Sequence, residues 1–245
     1  MKNITTLGLL VLSSISFSQE AESWRLGVQF GLHGNNTYAT GGQLQAHSRF
    51  QNNDAGSLGI TFQGRFDYNK HWMVLFGLGI NSYGFDYAIA ENYSLLNPDK
   101  NYSKLTTEFA AVEAPVMLHY KFNPNCKNNK WLIGAGFSQG ILSGQNIKKE
   151  FVNEVEAVNE REFITQTQVN NSLFTCLRLS VGVEKTYKNG SILNGSLYAN
   201  IGFKSIAHST VSYKLDNTNY QHQFSNNGNF VGLKLAYFLK PFNKG

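Results

Sequence analysis

Hydrophobic residues alternate with polar residues or glycine along most of the chain after residue 23. In the first such run, which begins at Trp24, Leu26 and Val28 alternate with Gly27 and Gln29. A period of two is the pattern of a β-strand whose two faces meet different surroundings, so the sequence predicts eight strands. The other seven runs begin at Leu58, Trp72, Val112, Trp131, Leu177, Leu197 and Val231.

The connections between these runs alternate strictly between short and long. Two of the short ones are residues 69–71 and the segment around Asn189-Gly190, which is a hairpin turn signal. This alternation is typical of an outer-membrane barrel, which has short periplasmic turns and long outer loops. A soluble β-sandwich has no reason to sort its connections by length. The long connections are residues 34–57, 88–104, 145–171 and 205–228.

Aromatic residues cluster at the ends of the predicted strands. Bilayer interfaces select such belts, so we expect one ring of aromatic side chains on the short-turn side and a second ring near the long loops. The first ring consists of Trp24, Tyr68, Trp72, Tyr120, Trp131, Tyr187 and Tyr237. The second consists of Phe85, Tyr87, Phe109, Phe174, Phe203 and Phe230.

The two faces of the strands differ in chemistry. One face is a continuous set of Leu, Val, Ile and Phe residues, which we expect to face lipid. The other combines glycine with a few large charged side chains, which suits the narrow interior of an eight-stranded barrel. We expect these charges to pair into a structural network, and a transport path is the alternative. The charged residues are Arg25, Arg65, Glu113, Lys121, Arg178, Glu184 and Lys234.

The first eighteen residues have the features of a secretory signal peptide. Lys2 precedes a short, mostly apolar stretch, and Ser16-Phe17-Ser18 is a cleavage site of the small-x-small type. We therefore expect residues 1–18 to be removed and residues 19–245 to form the barrel domain in the outer membrane. Cys126 and Cys176 fall at opposite ends of the predicted barrel, so we expect two free thiols.

Composition excludes several classes of protein. The 245 residues carry a net charge of +5, with 42% hydrophobic and 15% charged residues, which is too apolar for a disordered chain. The basic residues are scattered, so nucleic-acid binding is not expected. No spacing of ligands indicates a metal site, and no motif indicates a cofactor.

A hydrolase or acyltransferase site at the outer loops is a further hypothesis. His208 and Ser209 are adjacent there, but neighbouring residues of an extended segment point to opposite sides, and no nucleophile elbow is present. We therefore expect no catalytic residues and no enzymatic activity. In the third long connection, residues 148–161 are charged and are interpreted as a solvated loop. A short helix, or an extension of the flanking strands into a protruding hairpin, is the alternative.

The segment from Phe109 to Phe122, with Glu113-Ala-Pro115 at its centre, resembles the Glu-x-Pro strand of the PorT-like outer-membrane β-barrel family. The segments at residues 133–137 and 232–238 are also similar to that family. The resemblance implies an eight-stranded barrel without cofactor, and one branch of the family serves a secretion apparatus. It also implies that an aromatic residue near the C-terminus is read by the barrel-insertion machinery.

Two further expectations concern the Glu-x-Pro strand. Pro115 lacks a backbone donor, so we expect a bulge or weakened pairing around it. Glu113 should point inward and meet an Arg or Lys.

The sequence thus predicts an all-β protein, an eight-stranded antiparallel up-and-down transmembrane β-barrel. Its expected role is structural, or recognition through its outer loops as an accessory to an envelope or secretion assembly. Its expected partners are outer-membrane lipid, the barrel-insertion machinery and a protein bound at the outer loops. A narrow channel or small-solute porin is the alternative, and a membrane-embedded hydrolase or acyltransferase comes third.

Overall fold

The computed structural model describes residues 23–42, 50–53, 55–90, 102–122, 129–153, 161–170, 173–215 and 218–242. No helix in these ranges is long and apolar enough to cross a membrane. The predicted signal peptide lies outside them and stays a prediction. The strands are β1 (Ser23–Gly42), β2 (Phe50–Asn53), β3 (Ala55–Asp67), β4 (Trp72–Ala90), β5 (Tyr102–Phe122), β6 (Asn129–Leu142), β7 (Gln145–Asn153), β8 (Arg161–Val169), β9 (Leu173–Thr186), β10 (Ile192–Gly202), β11 (Ala207–Leu215) and β12 (Thr218–Phe238).

Eight of these strands close into an antiparallel barrel, as predicted. Their order is β1-β3-β4-β5-β6-β9-β10-β12, and β12 pairs with β1 to complete the circle. The eight alternating runs of the sequence are these eight strands. Closure gives the backbone N–H and C=O groups of the edge strands β1 and β12 hydrogen-bond partners, which lipid cannot provide.

The register fixes how wide the barrel is. A ladder of paired residues that starts at Ala111 of β5 and passes once around the barrel returns to β5 at Lys121, displaced by ten residues. Such a displacement tilts the strands by about 40° and leaves an interior that side chains alone can fill. The intermediate residues of this ladder are Asn81, Gly59, Gly31, Lys234, Ser196, Gly182 and Leu132.

The short turns are closed by local hydrogen bonds. The side-chain oxygen of Asn69 accepts the backbone N–H groups of His71 and Trp72, both at 2.8 Å. In the turn between β9 and β10, Asn189 Oδ1 accepts the Ser191 N–H at 3.0 Å. Gly190 adopts a φ of 82°, which favours glycine.

The described parts of the predicted long loops are mostly strands, which corrects the loop interpretation there. β1, β4, β5 and β12 continue beyond the barrel, and β7 pairs with β8, which pairs with β11, which pairs with β12. We call β2, β7, β8, β11 and the outer ends of β1, β4, β5 and β12 the outer extension. In its described residues the third connection is therefore the protruding hairpin of the alternative interpretation. Its strands are antiparallel from Gln145↔Val169 to Asn153↔Arg161.

A bulge in β12 separates the barrel from the outer extension. β1 pairs Asn35 with Phe230 and then Thr37 with Asn226, so β12 has extra residues there. Gly228 lies in this bulge with a φ of 76°. Below the bulge β12 pairs with β10, and above it β12 pairs with β11, so the bulge is where the sheet changes partner.

Pairing between β4 and β5 is interrupted beside Pro115. The ladder runs to Phe76↔Val116 and resumes at Gly79↔Glu113, with the residues between them unpaired. Because proline has no N–H to donate, this gap has the cause that the sequence suggested.

The outer wall of the barrel is apolar over a limited height. Along β6 it extends from Trp131 near the short turns to Ile141, which is the last exposed apolar residue before the hairpin. Ten residues at about 3.3 Å each, tilted by about 40°, span about 25 Å, which matches the apolar band of an outer-membrane barrel. The apolar face is therefore the outer face, as the sequence indicated.

Candidate functional site

The periplasmic half of the lumen contains an ionic network centred on one carboxylate. Asp67 accepts hydrogen bonds from Arg25, from Arg65 at 2.8 Å and from Lys121 at 2.9 Å. Arg65 also binds Glu184 at 2.7 Å and is 1% exposed. These groups come from strands β1, β3, β5 and β9, so the network ties four strands together across the lumen.

A second ionic cluster lies higher in the lumen. Arg178 donates to Glu113 through its terminal nitrogen and to Asn200 Oδ1 through Nε at 2.9 Å. Glu113 also accepts hydrogen bonds from the Ser138 hydroxyl at 2.8 Å and from the Tyr83 hydroxyl. The carboxylate is 1% exposed, and its partners satisfy it without water.

The structure brings together six of the seven predicted lumen charges. They form the two clusters just described, and the seventh, Lys234, has no carboxylate within ion-pair distance among the described residues. The centre of the lower network, Asp67, was not among the predicted residues. It lies on the same strand face as Arg65, two positions away, so the alternation contained the signal that identifies it.

The aromatic residues of the first ring lie at the short-turn end of the barrel. Tyr120 is in edge contact with Trp72 at 4.9 Å, and Trp24 packs against Phe66 at 4.5 Å. Tyr68 and Tyr120 are half-buried beside them. The other five members are exposed on the outer wall: Trp24, Trp72, Trp131, Tyr187 and Tyr237.

The predicted second aromatic ring does not exist in the described structure. Of its six members only Phe203 is exposed on the outside. The other five point inward and join a buried cluster, which we call the outer core, that fills the outer end of the lumen and the outer extension. Its aromatic members are Tyr83, Phe85, Tyr87, Phe109, Phe174, Tyr198, Tyr213, Phe224 and Phe230.

Two tyrosine hydroxyls of the outer core are hydrogen-bonded to histidines. The Tyr198 hydroxyl contacts His33 Nδ1 at 3.0 Å, and the Tyr213 hydroxyl contacts His222 Nε2 at 3.0 Å. Burial raises the pKa of Tyr87 above its ordinary value and lowers the pKa of His222. Both groups are therefore held neutral inside the extension.

The serine and histidine considered as a hydrolytic pair lie on opposite sides of β11. His208 is exposed and contacts Ser225 Oγ through Nδ1 at 2.7 Å, whereas Ser209 is buried and accepts a hydrogen bond from Thr167 at 3.0 Å. They do not contact each other, as strand geometry required. Within the described ranges no group of three His, Cys, Asp or Glu residues could hold a metal ion.

The structure describes one of the two cysteines that were predicted to be free thiols. Cys176 is buried in the outer core and free. Cys126 lies outside the described residues.

The sequence of residues 17–208 matches the family described as outer membrane protein beta-barrel domain. The chain belongs to this family. The protein is therefore an outer-membrane β-barrel protein, which confirms the predicted localisation. The finer resemblance to the PorT-like branch is not decided by this match. A search of curated proteins returned no match.

Several solved outer-membrane structures are similar to this chain at low sequence identity. OprG of Pseudomonas aeruginosa is 10% identical and covers 90% of this chain and 97% of its own, with a TM-score of 0.45. A major outer membrane protein of Thermus thermophilus is 12% identical and covers 90% and 100%, with a TM-score of 0.41. The outer membrane protease OmpT of Escherichia coli is 10% identical and covers 94% and 99%, with a TM-score of 0.40.

The last of these structures corrects one prediction. The expectation that the chain is not an enzyme is wrong as an exclusion, because an outer membrane protease is among the similar structures. At this identity the similarity concerns the fold and assigns no activity to the present chain.

Proposed function

We propose that this outer-membrane barrel is a recognition protein that anchors its outer extension at the cell surface, where the extension binds a protein partner. The observation that carries this proposal is that side chains cross the lumen at three heights and leave no continuous path through it. In the periplasmic half, the ion pairs of Arg65 with Asp67 and Glu184 cross the lumen. Nearer the outer end, the ion pair of Glu113 and Arg178 crosses it as well. The outer core then fills the outer end.

The surface of the outer extension supports the same proposal. Its outward-facing side chains are polar where those of the barrel wall are apolar, so the extension stands in water above the membrane. The β7–β8 hairpin adds a strand edge beyond the barrel, and strand edges bind extended segments of other proteins. Exposed side chains on its outward face include Gln166, Gln168, His208, Lys214, Gln221 and Gln223.

Site-specific photocrosslinking in intact cells tests the partner. A photoreactive residue at Gln166 or at His208 should give adducts of one discrete mass, because both positions face outward on neighbouring strands. The same residue at Lys188, in a periplasmic turn, is the matched control and should not give that adduct. A charge introduced beside the probe, Gln168→Glu, should reduce the yield. If the adducts at positions 166 and 208 are the same as those at position 188, or if no adduct forms, the extension is not a binding surface.

Planar-bilayer recording tests the filled lumen. We expect no steady single-channel conductance from the purified protein, since two ionic clusters and the outer core block the path. Steady conductance that changes with Arg65→Gln or Arg178→Gln would contradict the proposal and would favour the channel.

The same proposal includes the predictions about the signal peptide, barrel insertion and the PorT-like resemblance. Removal of residues 1–18 as a signal peptide would deliver the chain to the barrel-insertion machinery. The aromatic residue near the C-terminus is placed to take part, since the Phe242 N–H donates to the Trp24 carbonyl at 3.0 Å at the end of the barrel. The buried Glu113 and the pairing gap at Pro115 give the PorT-like Glu-x-Pro strand a structural role, and a secretion or envelope assembly is the class of partner we propose.

A further inference from the structure

Between the two ionic clusters, the lumen contains a layer of small and uncharged side chains. Along β9, Ser180 and Gly182 lie between Arg178 of the upper cluster and Glu184 of the lower network. The neighbouring strands show the same gap at this height. We call these residues the middle layer: Gln29, Gly31, Thr61, Gln63, Ser180 and Ser196.

Lys234, which pairs with Gly31 and Ser196 of this layer, is the one charged side chain at the same height within the described part of the chain. It points inward because its neighbours Leu233 and Leu235 are exposed on the lipid face. On β12 it lies midway between Phe230, which belongs to the outer core, and Phe238, whose ring packs against the Arg65 guanidinium at 5.5 Å.

The three lumen carboxylates among the described residues are already bound to other cations, so none is left to neutralise Lys234. Asp67 and Glu184 are bound in the lower network, and Glu113 is bound to Arg178. The Lys234 ammonium lies over the ring of Tyr198, 5.6 Å from Nζ to the ring centroid. A cation–π contact contributes about 0.5–2 kcal/mol, much less than the several kcal/mol that removing an ammonium from water costs.

Lys234 is only partly enclosed by the side chains around it. Arg65 and Glu113 are each 1% exposed, whereas Lys234 keeps accessible surface although it also points into the barrel. The glycines Gly31 and Gly232 do not add to this surface, because a Cβ at Gly31 would meet the Tyr198 hydroxyl at 2.6 Å and one at Gly232 would meet His33 Cβ at 2.6 Å.

A second buried group adjoining this layer lacks a partner. His119 is 2% exposed and contacts Ser180 Oγ through Nε2 at 2.9 Å, while its Nδ1 has no hydrogen-bond partner. When Nε2 accepts the serine hydroxyl proton, Nδ1–H is a donor without an acceptor. In this tautomer an ammonium in the middle layer and a ring N–H beside it both need negative charge or a lone pair.

We propose that the middle layer binds one small monovalent anion of the halide class, with Lys234 as its principal ligand and His119 as a second donor. Chloride needs only N–H and O–H donors, which the Lys234 ammonium and the His119 ring would supply. The two ionic clusters enclose the site from both sides, so the anion is a resident structural ligand and not a solute in transit. This site is independent of the recognition role proposed for the outer extension.

Bromide replaces chloride in such sites and can be located directly. In crystals of the full-length protein soaked in sodium bromide, we expect an anomalous peak within hydrogen-bond distance of Lys234 Nζ. In detergent, the thermal midpoint of the wild type should rise by about 3 °C when chloride or bromide replaces gluconate at constant ionic strength. Gluconate is too large for the site.

Lys185 provides a matched control. Its ammonium also lies over an aromatic ring, 5.7 Å from the centroid of Tyr187, but it is exposed outside the lumen. Lys185→Met should keep the halide dependence, and Lys234→Met should abolish it together with the bromide peak. A wild-type protein without a bromide peak at Lys234, or a halide effect unchanged in Lys234→Met, would overturn the proposal. If Lys234→Met does not fold, the bromide peak in the wild type decides.

Discussion

Arg65 and Phe85 are both fully buried inside the same barrel, on neighbouring strands, yet they are surrounded by opposite chemistry. Arg65 binds two carboxylates, whereas Phe85 packs against Tyr87 at 6.0 Å and Phe109 at 6.4 Å. The periplasmic half of the interior is thus held mainly by charge and the outer half mainly by aromatic packing. The difference follows the membrane: lipid surrounds the lower half, and the upper half extends into water, where a globular core can form.

This comparison shows why the two halves should fail in different ways. An ionic network is sensitive to removal of one member, because the remaining charges stay buried without compensation. An aromatic core loses contact area locally and leaves a cavity. Damage below should therefore destabilise the whole barrel, and damage above should loosen the extension while the barrel persists.

The largest effect is expected for Arg65→Met. This substitution leaves Glu184 without its partner and deprives Asp67 of one of three, so we expect the free energy of unfolding to fall by about 4 kcal/mol. Urea titration of the protein in micelles, with the folded fraction followed by gel mobility before boiling, measures the loss. Lys185→Met is the exposed control and should change stability by less than about 0.5 kcal/mol. A loss below about 1 kcal/mol for Arg65→Met would mean that charge does not hold the lower half.

The next largest effect is expected for Phe85→Ala, at about 3 kcal/mol and confined to the outer extension. Protease added to intact cells should cleave the outer hairpins faster, while heat-dependent gel mobility persists. Phe203→Ala is the matched control, because Phe203 is 65% exposed on the outer wall and contributes no core contact. Equal effects of the two substitutions would place both residues in one ring and contradict the outer core.

A smaller effect is expected for Gly228→Ala. The φ of 76° costs a residue with a Cβ about 1–2 kcal/mol, while the added methyl group meets only ordinary contacts, the shortest at 3.5 Å. Gly190→Ala incurs the same backbone cost at a φ of 82° in a periplasmic turn. The first substitution should speed proteolysis of the extension, and the second should leave it unchanged. Identical proteolysis of both variants would exclude the bulge as the junction between the halves.

The smallest effect concerns pH. Burial lowers the pKa of His222, so the unfolded extension binds a proton more readily than the folded one below the ordinary pKa of histidine. The contribution of neutral His222 is therefore present above that pKa and lost as pH falls below it. Protease protection of the extension should decline from about pH 7 to about pH 5.5, and His222→Gln should flatten the decline. An unchanged slope in this variant would assign the pH effect to another group.

Alternation along single strands determined much of this protein. It identified the eight barrel strands, separated the lipid face from the lumen and placed the charged residues inside. Applied consistently, it also predicts the outer core. In β4 the even-numbered Trp72 and Phe76 face outward, so the odd-numbered Phe85 and Tyr87 must face inward. The prediction of a second ring is wrong because it gave a belt of aromatics at a strand end more weight than the parity of the residue numbers.

Only the tertiary structure decided which inward residues meet. Arg178 and Glu113 are 65 residues apart, and Arg65 and Glu184 are 119 apart. Their heights in the barrel depend on a register that shifts by ten residues around the circle, and no single strand carries that information. For the same reason the sequence could not show that Asp67 would form ion pairs with three basic side chains while Lys234 would form none with a lumen carboxylate. Period two fixes the direction of a side chain, whereas its partner is set by the accumulated stagger of all eight strands.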